Sequence, residues 1–212
     1  MEFDSLLTLI EDDPVFRSSL LLAGNINLQI VRLQLSRWVN SGRIYQLRRG
    51  LYSIAPPYQK IKPHPFLVAN NLQKASYVSL QSALAYYGLI PEVVNITTSV
   101  STGRPEKLET PLGIYDFRHI KTDLLFGYKM INLGDQSAFV ATPEKALLDL
   151  IYLHPGGDSI DYLRELRLQN TELLDINIIR EFAEKFKTPR LQKAVNGILQ
   201  LIAGESKEFE DL

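Results

Sequence analysis

The chain contains no cysteine, which excludes disulfides, thiolate metal sites and a cysteine nucleophile. Its three histidines, His64, His119 and His154, lie far apart and show no H-x-x-x-H or H-E-x-x-H spacing, which argues against a zinc site. No apolar run approaches the ~18 residues that a membrane-spanning helix needs, and the first charged residues are acidic. We therefore expect a cytoplasmic protein with no membrane partner.

The common sequence signatures of enzymes are also missing. There is no phosphate-binding G-x-x-x-x-G-K-[ST], no G-x-G-x-x-G and no G-x-S-x-G. The expectation is a protein that is not an enzyme and has no catalytic residue, metal or cofactor. One alternative stays open, a metal-dependent nuclease in which Glu109, Asp116 and Lys121 hold Mg²⁺ beside a phosphate, although sheet-edge charges explain them as well. For Arg104 and Arg118 we expect surface salt bridges.

Acidic residues are absent from one long stretch, Pro14 to Pro91, which holds nine basic residues. The thirteen residues before it include five acidic and no basic ones, and the 121 residues after it have 14 basic and 19 acidic ones. The overall charge of −1 therefore conceals a cationic block, and such asymmetry points to a polyanionic partner. The alternative is a solvated helix face that lacks acids by chance. The basic residues are Arg17, Arg32, Arg37, Arg43, Arg48, Arg49, Lys60, Lys62 and Lys74.

Within this block, Leu28 to Ser41 has the spacing of an amphipathic helix. Asn25 or Asn27 can cap its start, and Gly42 is placed to end it. We expect one arc to be buried, formed by Leu28, Val31, Leu35, Trp38 and Val39. The far side carries Gln29, Leu33, Ser36, Arg37 and Asn40, with Arg32 on its flank, and most of these side chains suit base edges and phosphates.

Elements around this helix complete a winged helix-turn-helix pattern. Phe3–Ile10 and Val15–Ala23 each predict a helix, and residues 24–27 have the length of a helix-turn-helix turn. After the helix, two short strands over 43–47 and 51–54 are joined by Arg48-Arg49-Gly50, where glycine permits a tight turn. The predicted DNA contacts are Asn27, Gln29, Arg32, Ser36, Arg37, Asn40, Arg43, Arg48 and Arg49.

Four prolines between Pro56 and Pro65 forbid continuous helix and mark a domain boundary. We predict a DNA-binding domain over residues 1–62 and a second domain over 63–212. His64 lies inside this passage, where a solvated loop histidine is more common than a catalytic one.

The second domain predicts a mixed α/β structure with a helical carboxy-terminal end, so the whole chain is of α+β class. Two helices over 66–75 and 79–87 precede a small, largely antiparallel sheet built from segments 93–100, 108–110, 114–120, 126–133 and 138–141. Aromatic residues at helical spacing are usually core, which is our expectation for Tyr77, Tyr86 and Tyr87.

Helices are predicted to close the chain. Thr142-Pro143-Glu144 opens one with a capping threonine and a proline at its first position, and its core face comprises Ala146, Leu147, Leu150 and Ile151. Further helices are predicted over 160–168, around Ile179–Phe186 and after Thr188-Pro189, the last ending at Gly204.

Two groups of motifs resemble a known family. Residues 31–44 together with L-R-R-G-L-Y at 47–52 resemble the amino-terminal domain of the AbiEi antitoxins. Y-V-S-L-Q-S-A-L at 77–84 and A-T-P-E-K-A-L-L-D-L at 141–150 look like the carboxy-terminal domain of the same family. Together the motifs span roughly Val15 to Tyr152, in the order that the family shows.

The resemblance implies a bacterial type IV antitoxin of an abortive-infection, antiviral defence system that also represses transcription of its own operon. It implies that the winged helix binds double-stranded DNA at inverted repeats in its own promoter, with Arg37, Arg43, Arg48 and Arg49 in contact with the DNA. The partner it implies is a nucleotidyltransferase-like toxin, AbiEii, which is counteracted without a stable complex. Two alternatives remain: the nuclease, with the winged helix delivering DNA, and an interaction module that binds the toxin.

Overall fold

The computed structural model describes residues 2–22 and 27–210, without the side chains of 203–210. In this part of the chain there are eight α-helices and two β-sheets, so the fold is of the α+β kind predicted from the sequence. None of the helices over these residues is both long and apolar enough to cross a membrane.

The amino-terminal elements surround a three-stranded antiparallel sheet with the order β1-β3-β2. They follow one another as α1 (Phe3–Ile10), β1 (Phe16–Arg17), a 3-10 helix (Ser18–Leu22), α2 (Leu28–Asn40), β2 (Ile44–Arg48) and β3 (Leu51–Ile54). Gly42 and Gly50 have the positive φ angles of +68° and +79° that the helix end and the hairpin return require.

The helix predicted over 15–23 is wrong. Phe16 and Arg17 instead pair with Tyr52 and Leu51 of β3, and a single 3-10 helix follows. The free edge of β3 offers backbone donors and acceptors, and pairing satisfies them in a way that local helix propensity does not anticipate. Ala23 and most of the predicted turn, Gly24 to Ile26, lie outside the described residues.

Helix α2 buries most of its predicted arc. Val31, Leu35 and Trp38 are buried and Val39 is partly buried, but Leu28 is 41% exposed and was wrongly placed in the core. Because α2 begins at Leu28, that side chain lies at the helix end, one turn away from the cluster. We call this cluster the amino-terminal core; it comprises Phe3, Leu6, Ile10, Phe16, Leu21, Val31, Leu35, Trp38, Ile44, Tyr52 and Ile54.

After the proline passage come α3 (Pro65–Leu72), β4 (Ser76–Val78) and α4 (Leu80–Tyr86). His64 is a half-buried cap of α3 rather than a solvated loop residue, since its Nδ1 accepts a hydrogen bond from the Phe66 amide at 3.1 Å. Burial lowers the pKa of this imidazole and so favours the neutral form that can accept the bond. Tyr77 is fully buried and Tyr87 half-buried, but Tyr86 is exposed, contrary to expectation.

The second sheet has six strands in the order β6-β7-β5-β4-β9-β8. Three of its five strand pairs are antiparallel, whereas β5–β7 and β4–β9 are parallel, so the sheet is mixed rather than largely antiparallel. Strand β4, which lies between helices α3 and α4, was not predicted. The remaining strands are β5 (Ile96–Ser101), β6 (Glu106–Thr110), β7 (Gly113–His119), β8 (Tyr128–Leu133) and β9 (Gln136–Ala141).

The carboxy-terminal helices are α5 (Pro143–Leu153), α6 (Ile160–Glu165), α7 (Ile176–Phe186) and α8 (Pro189–Glu210). The Thr142 hydroxyl accepts from the Lys145 amide, as the capping pattern predicts, and the predicted core face of α5 is buried. Gly204 does not end α8, which continues to Glu210. One glycine costs a helix interior only about 1 kcal/mol, and the surrounding residues favour helix.

Two hydrophobic clusters divide the described residues. The amino-terminal core is one, and a larger cluster between the six-stranded sheet and helices α3–α8 is the other, which we call the carboxy-terminal core. Leu47 and Leu51 of the β2–β3 hairpin belong to this second cluster although they precede the proline passage. The hairpin is therefore packed against the part of the chain that follows it. The domain boundary at residue 62 stays a prediction.

Candidate nucleic-acid interface

The exposed side of α2 carries the predicted polar set. Gln29, Arg32, Ser36 and Asn40 are spaced by three or four residues, which places them along one face of the helix, and all are exposed. Arg37 is exposed beside them. Five hydrogen-bonding side chains on a helix without an acidic residue can contact base edges and phosphates together.

Asn27 has a structural task at the start of this helix. Its Oδ1 accepts a hydrogen bond from the Gln29 amide at 2.8 Å, so the side chain is the helix cap. The backbone N–H groups of the first turn give this end of α2 a partial positive charge. Asn27 thus supports the interface by holding the first turn in place, and its exposed amide nitrogen is what remains for a ligand.

Two guanidinium groups of the predicted set are exposed and uncommitted. Within residues 2–22 and 27–210, neither Arg37 on α2 nor Arg49 at the hairpin tip has a side-chain hydrogen bond or an ion pair. An arginine held by nothing else can place its fork of donors on a phosphate or a guanine edge without first losing a protein contact.

Arg43 contacts an aromatic ring of the amino-terminal core, and Arg32 acts on another aromatic residue of this core through its charge. The Arg43 guanidinium lies 5.1 Å from the centre of the Phe3 ring, and the residue is only partly exposed. The charge of Arg32 acts on Tyr52, where it opposes the burial that raises the pKa of that phenol. Arg32 is therefore an exposed cation near enough to Tyr52 to act on its phenol, and Arg43 is turned partly inward.

Arg48, predicted to touch DNA, is held by the second part of the chain. Its Nη1 donates to the Leu72 carbonyl at 3.1 Å and lies 3.0 Å from Glu106 Oε2. Of the two adjacent arginines expected at the hairpin tip, Arg48 is therefore engaged, and Arg49 has no side-chain partner over residues 2–22 and 27–210. Sequence reasoning missed these contacts because Leu72 and Glu106 are distant along the chain.

The charge of the cationic block is mostly unneutralised. Over the residues that the structure describes, only Lys60 and Arg48 of the nine basic residues form ion pairs, with Asp12 and Glu106. Arg17 donates to the Asn71 carbonyl and has no carboxylate partner among the described residues. Seven of the nine basic residues therefore have no carboxylate partner among the described residues, and their charge gives the segment a field that attracts polyanions.

The residues of the nuclease alternative are not brought together as a metal site. The Asp116 carboxylate pairs with Arg118, Oδ2 to Nη2 at 2.9 Å, which is the salt bridge expected for Arg118. Glu109 is exposed on β6, and Lys121 lies beyond the end of β7. In the part of the chain that the structure describes, no three His, Asp or Glu side chains are grouped to hold a metal ion.

Two features of the second part were not anticipated. A groove of about 530 Å³ lies between α4, the end of α5 and strands β5 and β7, and its residues come from separate segments that no local motif joins. Beneath the sheet, Lys145 and Asp149 form a fully buried pair with the Tyr77 and Ser79 hydroxyls. A lysine and an aspartate four apart, separated only by apolar residues in K-A-L-L-D, were the available signal for this pair.

No family model matches the chain, and no curated protein matches it. The interface is therefore argued from the geometry and charge of the chain itself, and the AbiEi resemblance stays an expectation carried by the motifs quoted above.

Proposed function

We propose that the chain is a sequence-specific DNA-binding protein whose residues 1–62 act as a winged helix-turn-helix. The observation that carries the proposal is the exposed face of α2, on which Arg37 has no partner among the described residues, in a segment that has no acidic residue. At the tip of the hairpin that follows, Arg49 is a second exposed arginine without a partner in the part of the chain that the structure describes. A helix with base-reading groups and a cationic wing is the combination that duplex DNA requires.

The element order supports this reading with one difference. Helix α1, the 3-10 helix, α2 and the β2–β3 hairpin follow one another as in a winged helix, with a 3-10 helix where the second α-helix was expected. In the proposed complex α2 lies in the major groove, where Gln29, Ser36, Arg37 and Asn40 read bases. Arg49 of the wing holds phosphate or the minor groove.

The biological role that we propose is repression of transcription in the bacterial cytoplasm, at inverted repeats upstream of the chain's own gene. This step, and the further proposal that the second domain counteracts an AbiEii-like toxin without a stable complex, rest on the family resemblance. The geometry gives the nuclease alternative no support, because the Asp116 carboxylate pairs with Arg118. An interaction module that grips the toxin is distinguished by co-purification with the product of the neighbouring gene.

Arg49→Ala is expected to weaken binding to all duplexes alike and to lower the slope of log K against log salt by about 0.9, the value of one lost phosphate contact. Binding of fluorescent duplex from the upstream region would be followed by anisotropy from low to physiological salt. Arg104→Ala removes the same charge from an exposed residue outside the block and should leave the slope unchanged. An unchanged slope for Arg49→Ala would remove the wing from the interface.

Arg37→Ala is expected to reduce discrimination between the operator and random duplex by about 1–3 kcal/mol, the value of one good base contact. Competition titrations with operator and scrambled duplexes measure this ratio directly. Arg180→Ala, which removes an exposed arginine from α7, is the matched control. Equal loss of affinity for both duplexes would instead assign Arg37 to the phosphate backbone.

A further inference from the structure

The three-stranded amino-terminal sheet is attached to the end of helix α3 by two arginines, Arg17 of strand β1 and Arg48 of strand β2. Arg17 Nη2 donates to the Asn71 carbonyl at 3.0 Å, and Arg48 Nη1 donates to the Leu72 carbonyl at 3.1 Å. These carbonyls belong to the last turn of α3, where backbone oxygens lack partners within the helix and carry a partial negative charge. Both cations thus complement the helix end.

A carboxylate completes the site for Arg48. Glu106, the first residue of strand β6, places Oε2 3.0 Å from Arg48 Nη1. The apolar neighbours of Arg48 on the hairpin, Leu47 and Leu51, are buried in the carboxy-terminal core. The hairpin therefore cannot carry Arg48 away from Glu106 without also exposing these leucines, so any release of Arg48 is a movement of its side chain alone.

The side chain of Arg48 is nevertheless accessible. It is 42% exposed and that of Glu106 is 36% exposed, so solvent and ions reach the pair. Its neighbour Arg49 has no side-chain partner within the described residues. The two adjacent arginines at the tip of the hairpin thus differ: Arg48 faces the carboxylate of Glu106, and Arg49 faces no carboxylate of the described residues.

We propose that Glu106 competes with a DNA phosphate for Arg48 and thereby sets the affinity of the wing from outside the DNA-binding domain. A carboxylate and a phosphate offer a guanidinium the same acceptor chemistry, so the two are alternatives for one arginine. While Arg48 is paired with Glu106 it makes no contact with a DNA phosphate. Removal of the Glu106 charge frees Arg48 to make that contact. The inference rests on the proposed DNA binding and adds a residue of the second domain to it.

The expected effect of Glu106→Gln is tighter DNA binding by up to about fivefold at low salt, the size expected when an exposed ion pair no longer opposes binding. The slope of log K against log salt should steepen by about 0.9, since one more phosphate is neutralised. The slope is the decisive measurement, because a change in folding or in net charge does not add a counterion-releasing contact.

Glu109→Gln is the matched control. Glu109 lies three residues further on the same strand, is exposed, and has no partner among the described side chains. Both substitutions remove one negative charge from β6, so any difference between them belongs to the contact with Arg48. Glu106→Asp keeps the charge but withdraws the carboxylate by one methylene, and it should steepen the slope as Glu106→Gln does.

The experiment is an anisotropy titration of the full chain against the upstream duplex over a range of salt. The single variant Arg48→Gln and the double variant Arg48→Gln/Glu106→Gln should have equal slopes of log K against log salt. The arginine for which Glu106 and the phosphate compete is absent from both. Equal affinity and slope for Glu106→Gln and Glu109→Gln, with the wild-type protein binding DNA, would overturn the competition and leave the proposed function intact. Failure of the wild-type protein to bind any duplex at low salt would overturn both.

Discussion

Replacing Lys145 with methionine is expected to destabilise the protein by about 3–5 kcal/mol, because it leaves a buried carboxyl group without its counter-charge. Lys145 and Asp149 form an ion pair on α5, and both side chains are 0% exposed. Lys145 Nζ also donates to the Tyr77 hydroxyl at 2.8 Å, and Asp149 Oδ2 accepts from Ser79 Oγ at 2.8 Å. The pair therefore joins α5 to strand β4 and the residue after it.

The double variant Lys145→Met/Asp149→Asn should recover part of this loss, since a neutral amide still bonds to Ser79 and Tyr77. Urea unfolding followed by far-UV circular dichroism measures the free energy of unfolding of the wild-type protein, of Lys145→Met and of the double variant. Lys185→Met is the control, because it breaks an exposed pair of the same i, i+4 spacing with Glu181. Lys185 Nζ also lies 5.0 Å from the centres of the Phe126 and Phe182 rings, so the whole substitution should cost about 1–2 kcal/mol. If Lys145→Met were no less stable than Lys185→Met, the buried Lys145–Asp149 pair would not have the structural role assigned to it.

The Lys145→Met variant should also acquire a pH dependence. Burial raises the pKa of Asp149, and Lys145 opposes that rise, so removing the lysine raises the pKa further. A carboxyl whose pKa is higher in the folded than in the unfolded state stabilises the fold at low pH and loses that contribution as the pH rises. The destabilisation should therefore be larger at pH 8 than at pH 5.

Leu35→Ala is expected to destabilise the amino-terminal core by about 2–5 kcal/mol, through lost burial and the cavity that remains. Leu35 is almost fully buried on α2, three residues before Trp38 in the same cluster. Because Trp38 is the only tryptophan of the chain, its fluorescence reports on this core alone. The urea midpoint of the fluorescence transition should fall clearly below that of the wild-type protein.

Leu33→Ala makes the same chemical change on the same helix, but Leu33 is 54% exposed. The free energy of unfolding of this variant, from the same fluorescence transition, should lie within about 0.5 kcal/mol of the wild-type value. An equal effect of the two substitutions would show that α2 is oriented with a different face toward the core. The assignment of Gln29, Ser36 and Asn40 to the outer face would then be lost as well.

Features governed by neighbouring residues were predicted well. The apolar spacing of α2, the Thr142-Pro143 start of α5 and the glycine at the hairpin return are local signals, since each depends on backbone geometry within one or two turns. The helices and strands around them appear near their predicted positions. The exposed polar face of α2 followed from the same periodicity, so most of the candidate site was visible in the sequence.

Features governed by distant residues were missed. Strands β1 and β4 are three residues long or shorter, and each exists because a partner strand lies beside it. The parallel pairing of β5 with β7 joins strands that are not consecutive in the sequence. The exposure of Tyr86 likewise depends on what packs around it.

By itself, the sequence determined the charge of the amino-terminal block, the amphipathic helix within it and the α+β character of the chain, because composition and periodicity are properties of contiguous residues. Tertiary structure alone decided which arginines are available. Arg48 and Arg49 are adjacent and chemically identical, yet one meets Glu106 and the Leu72 carbonyl and the other does not. Those partners lie 58 and 24 positions further along the chain, and only folding brings them to Arg48.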